Sequence, residues 1–72
     1  MPVIEESNLT FGERLQVIRR RKKMLQSDLA RKTGLNQYCI SNYEKDKHLP
    51  SYTAIMWLCK ALNVTASELL GF

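Results

Sequence analysis

The sequence predicts an all-α chain, a compact five-helix bundle around one hydrophobic core. Three observations lead there. Apolar residues recur at helical spacing along most of the chain. Residues that cap or break helices (Thr10, Gly34, Asn36, Pro50 with Ser51, Thr65) punctuate it, and no stretch alternates apolar and polar as a half-buried strand does. At 72 residues the chain lies near the lower limit for a core that needs neither disulfides nor metal. Its 44% apolar and 25% charged residues are ordinary for a folded domain.

Residues 1–9 read as a flexible N-terminal arm and residues 10–72 as the folded domain. Thr10 followed by Glu13 matches a capping box, so a first helix starts near Phe11 and ends near Lys22 or Lys23. Phe11, Leu15 and Ile18 form its inward stripe, with Arg19 on the flank. A second helix runs from about Gln26 to Thr33 with Leu29 and Ala30 inward, and Gly34 stops it by taking the left-handed conformation. Asn36 caps a third helix, from Gln37 to about Lys45. Pro50 drives the residue before it out of the helical region and Ser51 caps a fourth helix, whose arc of Tyr52, Ile55, Met56, Leu58, Cys59 and Leu62 is expected in the core. Thr65 and Glu68 repeat the capping box ahead of a short fifth helix carrying Leu69 and Leu70.

Charge is unevenly spread along these segments. Residues 1–13 carry net −3, residues 14–32 carry eight cations against one carboxylate, and residues 33–72 are neutral overall. A polyanion is the natural partner of such a field; the competing explanation is that Arg20 to Lys23 merely end a helix, where cations favour the negative end of the dipole. No run approaches the roughly 18 apolar residues of a membrane span, and the acidic start MPVIEES lacks the regions of a signal peptide, so a cytoplasmic location is expected. Cys39 and Cys59 have no metal-ligand spacing and read as small core residues, and His48 reads as a loop histidine. No cofactor, metal or catalytic constellation is expected, and the chain does not read as an enzyme.

The third helix has two faces. With Gln37 at 0° and about 100° per residue, Ser41, Lys45, Tyr38 and Asn42 fall near 40°, 80°, 100° and 140°, while Cys39, Tyr43 and Ile40 occupy the opposite, buried side. Glu44 sits at the border. Two short helices joined through a glycine, the second with an amide-rich outer face, form a helix-turn-helix arrangement.

The residues Gln26, Leu29, Ala30, Gly34, Ile40 and Glu44 stand at the spacing of the phage repressor/Cro (XRE-type) DNA-binding family, which the segment resembles. The likeness continues through LPSYTAIMWLCKALNVTASELL and so covers about residues 11 to 70. It implies a lambda repressor-like DNA-binding domain. By that resemblance Gln26 would bind a DNA phosphate, Gln37, Tyr38, Ser41 and Asn42 would face base edges in the major groove, and Lys45 and Lys47 would grip phosphates. An ion pair between Arg19 and Glu44 would tie the first helix to the third. Three positions depart from the family: Leu25 stands where a capping Ser, Thr or Asn is usual, and Lys23 and Asp46 where glycine is common.

Trp57 falls outside the apolar arc of the fourth helix, and with Leu70 and Phe72 it forms a candidate homodimer interface. The expected function is sequence-specific binding of double-stranded DNA, at a palindromic operator, by a transcription regulator that acts as a repressor. The alternative is an antitoxin-like or other protein-interaction module with secondary, autoregulatory DNA binding.

Overall fold

Side-chain caps set the start of four of the five helices. The computed structural model describes residues 8–72, so most of the expected N-terminal arm lies outside the described residues. Five α-helices and no strand occur among them. Helix α1 spans Phe11–Arg21; the Thr10 hydroxyl accepts from the Glu13 N–H at 3.1 Å and the Glu13 carboxylate accepts from the Thr10 N–H at 3.0 Å. Helix α2, Gln26–Thr33, ends at Gly34 with φ 80°. Helix α3, Gln37–Glu44, starts where Asn36 accepts from the Cys39 N–H at 2.8 Å. Helix α4, Tyr52–Leu62, is capped by Ser51, and α5, Ala66–Leu70, by Thr65, which accepts from the Glu68 N–H at 3.1 Å. Of the second expected capping box, this half is the one the structure forms.

Every helix contributes to one core. Leu15, Leu29, Ile40, Leu58, Leu62 and Leu69 are fully buried, with Ile18 and Ala30 nearly so. Each buried leucine or isoleucine among them contributes about 1.5–3 kcal/mol relative to exposure. Helix α1 packs on α3 and α5, α2 on α3 and α4, and α4 on α5. The α1–α3 approach depends on Gly12: a Cβ there would lie 2.5 Å from the carbonyl oxygens of both Tyr43 and Glu44.

The fourth helix buries a different arc from the expected one. Ala54, Leu58 and Leu62 face inward, whereas Tyr52 is 77% and Met56 54% exposed. Ala54, outside the expected arc, takes an inward position. Tyr52 and Met56 then fall on the flank that faces α5, where they line a surface groove with Ile55, Cys59, Ala66 and Leu70. Burial, and secondarily Glu68, raises the Cys59 thiol pKa above its ordinary value.

Candidate nucleic-acid interface

One polar network fixes α3 in place. Arg19 lies on α1 with its guanidinium against Glu44 at the end of α3, Nε to Oε2 at 2.6 Å and Nη2 to Oε1 at 3.1 Å. Its Nη1 donates to the Met24 carbonyl at 2.8 Å. Gln26, the first residue of α2, donates from Nε2 to Glu44 Oε1 at 3.0 Å. The side chains of Arg19 and Glu44 are 9% and 3% exposed, so the pair is screened little by solvent. It holds the end of α1, the α1–α2 turn, the start of α2 and the end of α3 in one register.

A second contact secures the same helix end. Asp46, at φ 60°, accepts from the Gly12 N–H at 2.9 Å and from the Thr10 hydroxyl at 2.6 Å, so its carboxylate caps α1 from the far end of α3. Lys23 is also left-handed, at φ 58°. Both positions therefore keep the backbone geometry that glycine would supply, and Asp46 adds two hydrogen bonds to it.

The outer face of α3 presents Gln37 and Tyr38 as exposed side chains, with Tyr38 at 74% and Ser41 half-buried, and Lys45 and Lys47 are exposed just beyond the helix. Asn42 does not join them. It is 6% exposed. At about 140° it stands at the edge of the polar arc, and the chain leaving α3 folds back there, the Lys47 N–H donating to the Asn42 carbonyl at 2.9 Å. A wheel angle alone does not show that closure. Asn42 is therefore buried beside the exposed residues of α3.

Leu25 provides no side-chain oxygen to the start of α2; instead the Asp28 carboxylate accepts from the Leu25 N–H at 2.9 Å. The first-turn amides of α2 consequently lack a side-chain cap. Of the cations between residues 14 and 32, Arg14 and Arg19 are buried, and Arg31 pairs with Asp28. Arg20, Lys22, Lys23 and Lys32 are exposed. The Arg14 guanidinium packs against Gly71 at the end of α5.

The three candidate dimer residues separate. Leu70 is half-buried in the α4–α5 groove, about 280 Å³ in volume, and Phe72 is 85% exposed just after it. Trp57 lines another depression, with residues of α2. Residues that sequence reasoning did not single out are Gly12 and Asp46 as a pair. A glycine in the first turn of a helix is a weak signal of close approach, and nothing local to Asp46 signals a cap on a helix 34 residues away. Among the described residues no cluster of His, Cys, Asp and Glu could hold a metal ion, and no helix is long and apolar enough to cross a membrane.

Residues 14–72 match the family model of the Cro/C1-type helix-turn-helix DNA-binding domain. The chain is 30% identical over 63 residues to an immunity repressor protein of Bacillus phage phi105; the match covers 88% of this chain and 44% of the relative, so the chain spans under half of that protein's length. Among solved structures it is similar to a restriction-modification controller protein from Aeromonas hydrophila, with TM-score 0.80 and 32% identity over 82% of this chain and 89% of that one. It is also similar to the P22 c2 repressor in complex with a synthetic operator, with TM-score 0.81 and 28% identity over 88% and 96% of the two chains.

Proposed function

Because the chain belongs to the Cro/C1-type helix-turn-helix family of DNA-binding transcription regulators, we propose that it acts as a repressor that reads an operator through α3. The observation that carries this reading is the uncharged, solvent-facing surface of Gln37, Tyr38 and Ser41 on a helix whose end is locked to α1 and α2 by buried charge. Uncharged amides and hydroxyls suit base edges, since Gln can pair bidentately with adenine. Lys45 and Lys47 at the margin suit phosphates. Gln26 enters the phosphate site through its backbone: with Leu25 offering no cap, the first-turn amides of α2 are donors for an anion, while the Gln26 side chain braces Glu44. The repressor acts by occupancy, without catalysis, in the cytoplasm.

Two copies would meet through the α4–α5 groove, with Leu70 and Phe72 in the contact, and place two α3 helices on half-sites about 34 Å apart. The exposed Tyr52 and Met56 support this choice, because they extend the apolar surface beyond what Leu70 and Phe72 offer alone.

Selection of bound duplexes from a randomised pool, followed by footprinting, tests the reading. A palindromic site with two protected half-sites is expected. Gln37→Ala and Ser41→Ala should each cost about 1–3 kcal/mol where a base contact is lost, with unchanged circular dichroism. Enrichment of no duplex at low salt refutes the function. Unchanged affinity in both variants refutes the assignment of the α3 face, and protection of a single half-site by a monomer refutes the dimer.

A further inference from the structure

Trp57, Lys60 and Ala61 lie on the side of α4 turned away from the α4–α5 groove. Counted from Tyr52 at about 100° per residue, they fall near 140°, 80° and 180°, whereas the groove residues Ile55, Cys59 and Met56 fall near 300°, 340° and 40°. With Lys32 and Thr33 from the end of α2 they line a depression of about 410 Å³, in which Trp57 is 46% exposed. The Thr33 hydroxyl is turned to its own helix, donating to the Leu29 carbonyl at 2.8 Å and accepting from the Leu35 N–H at 3.2 Å. The lining is therefore an indole, small apolar groups and two exposed ammonium groups, neither of them in an ion pair with a described residue.

A half-exposed tryptophan beside two cations is the composition of a recognition surface, because tryptophan is among the side chains enriched at the energetic centres of protein contacts. We propose that the α2–α4 depression docks an acidic segment of a partner protein, its carboxylates meeting Lys32 and Lys60 while one of its apolar side chains lies against Trp57. Charge complementarity selects this occupant. The lining holds two cations and no carboxylate, so it repels a basic segment, and a duplex backbone offers phosphates but no apolar group for the indole. The depression shares no residue with the exposed face of α3, so the partner can sit here while Gln37 and Tyr38 are engaged elsewhere.

Trp57 is the one tryptophan of the chain, so its fluorescence reports on this depression directly. Peptides selected from a random library against the full chain are expected to carry carboxylates flanking an apolar side chain and to shift the emission saturably. Lys32→Glu combined with Lys60→Glu should weaken them about tenfold at an unchanged thermal midpoint. Should charge reversal unfold the protein, Lys32→Ala with Lys60→Ala reads the same loss. Selection of basic or neutral peptides, or of acidic ones indifferent to both double variants, overturns the proposal. It is overturned equally by an emission change that follows protein concentration alone, which assigns the depression to a second copy. An emission change with single-stranded oligonucleotide but not with peptides would assign it to nucleic acid, and one on deletion of residues 1–7 to the chain's own N-terminus.

Discussion

Removing the Glu44 carboxylate should release much of what holds α3 in place. In Glu44→Ala three charge-assisted hydrogen bonds vanish at once, two from Arg19 and one from Gln26, while Arg19 keeps only the Met24 carbonyl of its present acceptors. The guanidinium stays where it is about nine-tenths covered, so the loss includes an uncompensated buried charge. Breaking a pair of this kind from one side costs about 3–5 kcal/mol, against a total stability of roughly 4–10 kcal/mol for a chain of this length. Urea unfolding followed by circular dichroism measures it, and the thermal midpoint should fall by about 4–8 °C for each kcal/mol. The paired replacement Arg19→Met with Glu44→Leu should recover most of the stability, since it removes both charges and leaves apolar side chains of similar reach. A cost below about 1 kcal/mol for Glu44→Ala, the range of exposed pairs, would refute the reasoning, as would a double variant no more stable than the single one.

Gly12→Ala should destabilise by about 1–3 kcal/mol, because the new methyl meets the backbone oxygens of Tyr43 and Glu44 and α1 must move off α3; a thermal melt checks it. Two glycine substitutions at left-handed positions should have opposite signs. Lys23→Gly relieves about 1 kcal/mol of backbone strain and raises the urea midpoint, whereas Asp46→Gly relieves the same strain but deletes the acceptor for Gly12 and Thr10, bonds worth about 1.5–3 kcal/mol each when charged, and lowers it. Stability should also fall in alkali. Burial raises the pKa of both Tyr43 and Cys59, so the unfolded chain loses these protons first; the stability they add is intact below the ordinary thiol value of 9.0 and declines as pH rises past it, which urea midpoints across the alkaline range will show.

The helix limits were legible because caps are local chemistry. Thr10, Asn36, Ser51 and Thr65 each accept an N–H three residues ahead, and a window of a few residues contains everything that matters. What failed was non-local. Tyr52 and Met56 are apolar and share an arc with Leu58 and Leu62, so hydrophobicity alone puts them inside; the buried arc instead takes in Ala54, whose small side chain carries almost no weight in a periodicity argument. The burial of Asn42 has a related cause. Its angle is that of a polar face, but the turn at Asp46 closes over that end of α3, and the turn's geometry is fixed by a carboxylate reaching back to Gly12.

The same distinction governs the charge. The sequence concentrates eight cations in residues 14–32, and a count treats them as one field. Arg14 and Arg19 are buried and engaged within the fold, and Arg31 is shared with Asp28, so part of that field is structural. The cations that remain at the surface, among them Arg20, Lys22 and Lys23, flank the turn that Arg19 binds through the Met24 carbonyl, and Lys45 and Lys47 follow the helix end that Arg19 binds through Glu44. One buried arginine thus sets the relative position of two exposed basic segments and of the uncharged face of α3 between them. The charge that helps hold α3 in place is separated from the charge available to attract phosphate, and neither lies on the part of α3 proposed to read bases.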